Sequence, residues 1–256
     1  MDAYYGRFNI SDRHINQKSE ERRAHFFNTI NMAPQAPRPH KRQRLDSDLV
    51  KLADKGNLTA VQRDLLRAGA DVNAINDIDD TALRIASAKG DIAMVRELLA
   101  RKDVNVNVRD KHASTPLMWA SLHGHNGVVR LLLEHKDVDV NARGKNYFSR
   151  TSLMMAGHNG DYHTVRELLA HKKLDLNAVD TRGNSTLMVV IRGMFTVERR
   201  NVVRELVQDE RMDVNVKDHY GRTALMWAIS MGNLDYVRFF LRNNAIDIVV
   251  ERTSQL

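Results

Sequence analysis

His123 and His125 flank a single glycine and form the only tight histidine pair in the 256-residue chain. A zinc site needs three or four ligands, and no third ligand stands at a matching spacing, so the pair reads as part of a turn. Other chemistries lack their groups. Cysteine is absent, which removes disulfides, thiolate metal sites and cysteine nucleophiles. Neither a phosphate-cradling Gly-rich loop, nor a nucleophile elbow, nor a His-Glu-x-x-His pair occurs. The expectation is a chain with no catalytic residues, no metal and no cofactor.

Charge is the next candidate. The formal net charge is +7, but residues 1–45 hold nine Lys/Arg against four Asp/Glu, while 46–256 hold 30 against 28. The basic excess therefore sits mostly in a leading arm. Pro34, Pro37 and Pro39 oppose helix and sheet there, which predicts a flexible segment over 1–45. Within it, Lys41, Arg42 and Arg44 resemble a short nuclear-import signal, and Ser19–Ile30 can form an amphipathic helix with Phe26, Phe27 and Ile30 on one side. The leading residues carry no apolar signal-peptide core, and no segment approaches the roughly 18 apolar residues of a membrane span. An intracellular, cytoplasmic location is expected, extending to the nucleus if the basic run is read.

What positions the remaining side chains is a repeat. Stretches headed by Thr81, Thr115, Thr151, Ser185 and Thr223 each place a leucine two residues on (Leu83, Leu117, Leu153, Leu187, Leu225) and a small or apolar residue three further (Ala86, Ala120, Ala156, Val190, Ala228). Gly90, Gly124, Gly160 and Gly232 follow in four of the five, then a Val-Arg pair and a leucine-rich run. The units close on Asn73, Asn107, Asn141, Asn177 and Asn215, at gaps of 34, 34, 36 and 38 residues. The hydroxyl is placed to N-cap a short helix, and Leu and Ala three apart share its inner face. The glycine can turn the chain, through a left-handed conformation, into a second helix. One such pair cannot bury its own apolar face, so copies must stack.

In this register Trp119 and Trp227 share a column with Ile85, Met155 and Val189, which predicts packing between first helices. The column Arg96, Arg130, Arg166, Arg204 and Arg238 could line up on phosphates. Glu97, Glu167 and Glu205 follow three of them, which favours a solvated, charge-balanced outer face.

The run STPLMWASLHGHNGVVRLLLEHKDVDVN, and LLRAGADVN at Leu65–Asn73, resemble the ankyrin repeat family, and the resemblance covers roughly residues 46–250. It implies an all-α ankyrin solenoid of about six stacked helix-turn-helix units, near 46–76, 77–109, 110–143, 144–179, 180–217 and 218–250, followed by a tail at 251–256. It also implies a non-enzymatic, monomeric module that binds a partner protein along the turn tips and first-helix ends. Those positions are Lys111, His112, Ser114, Leu122 and His123 in one unit and Tyr147, Phe148, Arg150, His158 and Asn159 in the next. Arg182, Asn184 and Arg192 follow, then His219, Tyr220, Arg222 and Met231. Aromatics, Arg, His and Met gather there, as suits a partner of anionic or mixed surface. Nucleic-acid or import-receptor binding through the basic arm is the alternative. The Met-for-His style resembles ankyrin proteins of intracellular bacteria, which implies a secreted effector acting in a host cell. The closing asparagines are of the kind that an asparaginyl hydroxylase modifies in the family.

Three departures stand out. Arg84, Met118, Met154, Met188 and Met226 replace the family's TPLH histidine, leaving its hydrogen bonds around the turn in question. Most closing turns carry an extra residue in place of Gly-Ala, so another residue is expected in a strained C-cap position. The Asn141–Thr151 connection is two residues longer than the others, and Ser185–Val203 carries four extra, read as a longer first helix or a looped insertion.

Overall fold

The computed structural model describes residues 49–61, 71–145 and 148–242. Helical backbone at 49–54 and 58–61 opens them. Ten helices follow in pairs: α1 (Ala82–Lys89) with α2 (Ile92–Leu99), α3 (Pro116–His123) with α4 (Asn126–Leu133), and α5 (Ser152–Asn159) with α6 (Tyr162–Leu169). The last two pairs are α7 (Thr186–Ile191) with α8 (Val197–Gln208), and α9 (Ala224–Ser230) with α10 (Leu234–Leu241). First helices pack on first helices and second helices on second helices, giving an all-helical stack.

The boundaries follow from the side chains. Thr81, Thr115, Thr151, Ser185 and Thr223 are N-caps, each accepting a hydrogen bond from the N–H three residues on. Gly90, Gly124 and Gly160 end α1, α3 and α5 at φ of 73°, 70° and 72°, a conformation that costs a side-chain-bearing residue roughly 1–2 kcal/mol. Leu83, Leu117, Leu153 and Leu187 are buried beneath these caps with Ala86, Ala120, Ala156, Val190 and Ala228. The second helices add Val95, Leu98, Val129, Leu132, Val165, Leu168, Val203, Leu206 and Phe240. Each large side chain of this set contributes about 1.5–3 kcal/mol by leaving water.

The closing asparagines join one unit to the next. Asn73, Asn107, Asn141 and Asn177 each donate Nδ2 to a carbonyl of the following closing turn, at 2.6–2.9 Å (Asp103, Asp137, Lys173 and Arg211). Each Oδ1 accepts an N–H two residues further on, at 2.7–2.8 Å. Asn141→Ala removes both bonds of one rung and is expected to cost about 1–2 kcal/mol, read as a lower urea midpoint at unchanged slope.

Two sequence expectations are corrected. The second helices α2, α4 and α6 end on Ala100, Glu134 and Ala170 in ordinary right-handed geometry, so no strained C-cap is needed. The extra residue lets the closing turn leave the helix through ordinary i→i−3 bonds, such as His135 N–H to the Leu132 carbonyl at 3.2 Å. In the irregular unit neither sequence alternative holds as stated. First helix α7 is short, with six residues, and second helix α8 is long, with twelve. The added turn sits at the start of α8, where Thr196 supplies a hydroxyl N-cap.

Candidate functional site

Three of the turn tips are built on a carboxylate five residues before the hydroxyl cap. Asp110 Oδ1 accepts the N–H groups of His112 and Ser114 at 2.8 and 2.9 Å. Asp180 does the same for Arg182 and Asn184, and Asp218 for Tyr220 and Arg222. Asn76 takes this place in the first described tip, accepting from Ile78 and Asp80. These bonds close three hairpins and the Asn76 tip, and in the family's histidine column Met118, Met154 and Met188 are buried. Backbone bonds then pin tip to tip: Lys145 N–H to the His112 carbonyl, Thr181 to Phe148, and His219 to Arg182.

The second carboxylate oxygen faces the first helix. Asp110 Oδ2 accepts Trp119 Nε1–H at 2.8 Å, and Asp218 Oδ2 accepts Trp227 Nε1–H at 3.2 Å. Both tryptophans are therefore half-buried and polar-anchored, beyond the simple packing expected of them. Arg222 also holds Asp218, through Nε at 2.9 Å and Nη2 at 2.8 Å. Burial alone would raise the Asp218 carboxyl, but the Arg222 guanidinium, the Arg222 and Tyr220 N–H groups and the Trp227 indole pull it down to about 2. The ionised form is favoured in the folded state, so this stabilisation is full above the unfolded value near 4 and is lost as pH falls toward 2. It amounts to about 2 kcal/mol. In urea titrations, the stability gap between intact protein and Asp218→Asn is expected to narrow from pH 5 to pH 2.5.

Around this frame the sequence-selected positions divide. Ser114 and Asn184 are buried, and Asn184 Nδ2 is spent on Asp180, so neither presents a side chain to a partner. Arg150 is largely buried, 3.8 Å from the fully buried Asp180 carboxylate, and burial pushes its pKa down against the pull of Asp180. His112, Leu122 and Arg222 are half-buried, whereas Lys111, His123, Phe148, His158, Asn159, Arg182, Arg192, His219, Tyr220 and Met231 are exposed. Tyr220 is the most open of the aromatics, at 80%. Tyr147 lies outside the described residues, as do the Lys41, Arg42 and Arg44 run, the Ser19–Ile30 segment and the tail.

The structure brings together groups that the sequence reading kept apart. Arg182 lies over the Phe148 ring at 3.7 Å, and Arg192 and Arg222 lie over Trp227 at 4.6 and 4.1 Å. Arg222 also covers Tyr220 at 4.6 Å. A cation over an aromatic face at these distances contributes about 0.5–2 kcal/mol. Arginine spacing along the chain gave no signal for the Arg182 and Arg192 stacks, because their partners come from neighbouring units. His123 stacks between Trp119 and His125, and His125 Nε2 lies 3.0 Å from the Ala88 carbonyl, so both rings serve the inter-unit turn. No group of three His, Asp or Glu side chains able to hold a metal ion occurs among the described residues. The outer Arg column is exposed throughout, with Arg130 paired to Glu167 at 2.6 Å and Arg238 to Asp235 at 3.8 Å. Four of the five closing asparagines are engaged between units, as described above. None of the described helices is long and apolar enough to cross a membrane.

Comparison with known proteins agrees with this architecture. A family model described as ankyrin repeats (3 copies) matches residues 49–144 and 153–252. The ankyrin repeat protein EF0377 superposes with a TM-score of 0.73 at 21% identity, over 78% of this chain and 98% of that one. The ankyrin repeat domain of Bcl-3, described as a unique member of the IkappaB protein family, gives 0.68 at 26% identity, over 78% and 87%. A chain from the complex of the predatory endopeptidase Bd0816 of Bdellovibrio bacteriovorus with immunity protein Bd3460 gives 0.63 at 24%, over 76% and 96%. No curated protein matches significantly. The two matched ranges span most of the chain, and the chain belongs to the ankyrin repeat family.

Proposed function

We propose that the chain is a non-enzymatic interaction module that captures a partner protein along its turn tips and first-helix ends. The observation that carries this reading is the contrast within each unit. The caps and leucines repeat in every unit and the aspartate in three, while the side chains of Phe148, Arg182, Arg192, Tyr220 and Met231 differ, are exposed, and close no part of the frame. Large aromatic, Arg and Met side chains on a rigid support are favoured at protein interfaces, because little freedom is lost when a partner docks. Ankyrin domains in general are non-catalytic scaffolds that bind protein partners, and the fold is shared by a chain in the endopeptidase–immunity protein complex. Its closing turns and Met-for-His units resemble ankyrin proteins of intracellular bacteria, which would set this face against a host protein.

The test compares capture from nuclease-treated eukaryotic lysate by the intact protein and by the triple variant Phe148→Ala, Tyr220→Ala, Met231→Ala. All three side chains are exposed, so the helical circular dichroism spectrum is expected to be unchanged, with the melt lowered by only a few degrees for the lost arginine stacking. Recovery of the captured protein should fall by about tenfold or more, as for central aromatic anchors. Undiminished capture by the triple variant, or capture that disappears only when residues 1–45 are deleted, would move the function to the basic arm.

A further inference from the structure

Four arginines gather on the tips and first-helix ends of the last three units, and they are not equivalent. Arg150 and Arg222 are spent on the buried carboxylates of Asp180 and Asp218. Arg182 and Arg192 are exposed and form no ion pair with any described residue. Each instead lies on an aromatic ring, Arg182 on Phe148 at 3.7 Å and Arg192 on Trp227 at 4.6 Å. A guanidinium resting on a ring has a defined plane, and its N–H edge stays free for a planar acceptor. Phe148 is itself held, because its carbonyl accepts Thr181 N–H at 2.8 Å, and Trp227 is held by Asp218. Both supports are therefore anchored beneath the cations they carry.

The charge between them is unbalanced. The positive charges of Arg182 and Arg192 both act on Arg150 and disfavour its charge, so each stands within the field of the inner arginine. The two carboxylates beneath them already accept backbone N–H groups, and each is ion-paired to an inner arginine. Like charges held together on rigid supports cost stability unless a ligand of opposite charge occupies the site.

We infer that Arg182 and Arg192 are paired carboxylate-binding positions, and that the partner lays an acidic peptide segment, with at least two Asp or Glu side chains, across units four to six. This rests on the interaction face proposed above and adds the chemistry of what docks there. Peptide is favoured over nucleic acid by the surroundings. Residues 46–256 are nearly balanced in charge, which leaves no long basic track for a phosphate backbone. The exposed neighbours Tyr220 and Met231 suit side-chain packing. Arginine is required rather than lysine, because both the stacking and the two-pronged grip on a carboxylate need the planar fork.

The test uses the full chain and fluorescence anisotropy with three probes: a labelled dodecapeptide of alternating Glu and Gly, its Gln–Gly counterpart, and a single-stranded oligonucleotide of equal charge. The Glu peptide is expected to bind at least tenfold more tightly than the Gln peptide and the oligonucleotide. Arg182→Ala with Arg192→Ala should weaken the Glu peptide by at least tenfold. Arg182→Lys with Arg192→Lys, which keeps the charge, should restore only part of that loss. Replacing Lys41, Arg42 and Arg44 by alanine, or Arg130 and Arg166, should leave binding unchanged. Undiminished Glu-peptide binding by the double alanine variant, oligonucleotide binding as tight as the peptide's, or loss in the Lys41/Arg42/Arg44 variant would each overturn the inference. If the Phe148/Tyr220/Met231 variant loses its partner while the double alanine variant keeps it, the interaction face stands and its acidic specificity falls. If both variants keep it, the two readings fall together.

Discussion

Asp180→Ala should be among the most damaging single substitutions in the stack, lowering stability by about 3 kcal/mol or more. The carboxylate accepts Arg182 N–H, Asn184 N–H and Asn184 Nδ2–H at 2.8–3.0 Å through Oδ1, with Arg150 3.8 Å from Oδ2. Its removal strands two backbone donors, a buried amide and a largely buried guanidinium. Breaking a buried charged pair from one side costs about 3–5 kcal/mol, because the surviving charge has no water to return to. Asp180→Asn keeps an acceptor for the hairpin and loses the attraction to Arg150 and the second bond from Asn184 Nδ2–H, so it should recover roughly half of that cost. Unit five sits inside the stack, and repeats contact only their neighbours. The expected signature is therefore uneven: hydrogen exchange should accelerate in α7 through α10 before it does in α1 through α4. Uniform acceleration, or a loss within 0.5 kcal/mol, would show that the tip carboxylate is dispensable.

The same residue explains a choice of variants. Read from sequence, Arg150 and Arg222 look like the arginines of an interface, and reversing their charge looks like a clean test. In the folded chain both face buried aspartates, so charge reversal would place two negative groups together and unfold the tips. The residues that can change without touching the frame are Arg182 and Arg192, whose supports are aromatic rings.

This difference marks how far the sequence could be read. The hydroxyl caps, the Leu and Ala columns and the left-handed glycines are local signals, each needing only its own helix, and all took their expected places. Asp110, Asp180 and Asp218 also stand in a column, five before the cap, but their burial depends on the hairpin folding back over them. Nothing in spacing alone separates such an aspartate from a solvated one. The Trp119 and Trp227 anchors depend in turn on those aspartates, so their polar role was doubly hidden. The cation–π supports join residues of different units, Phe148 with Arg182 and Trp227 with Arg192, and become visible only when the units are stacked.

The irregular unit shows a second kind of limit, and it supplies the other large expected effect. Where α1, α3 and α5 end on a left-handed glycine, α7 ends on Arg192 in right-handed geometry, leaving its last carbonyls without that closure. Arg199, from the added turn of α8, reaches back to fill the gap. Its guanidinium donates to the Val190 carbonyl at 3.3 Å and to the His158 carbonyl in the preceding unit. A Cβ at Gly193 would fall on that guanidinium, so glycine there clears the path of the side chain. Burial lowers the Arg199 pKa, with the Tyr236 hydroxyl group opposing that shift. A four-residue insertion and a missing glycine are thus one adaptation, in which a side chain from the second helix closes two first helices. Arg199→Ala opens both ends and leaves a cavity over Gly160 and Gly193, at an expected cost of about 2–3 kcal/mol from the lost charged hydrogen bonds and packing. Arg199→Met keeps much of the packing and should recover no more than half, and Arg199→Lys should do little better, since one ammonium cannot span two carbonyls in different units. Gly193→Ala is the independent check. It leaves every backbone group in place yet displaces the guanidinium from its two carbonyls, and it should destabilise units four and five together; a neutral Gly193→Ala would mean that those two bonds contribute little, the flexible side chain having swung aside.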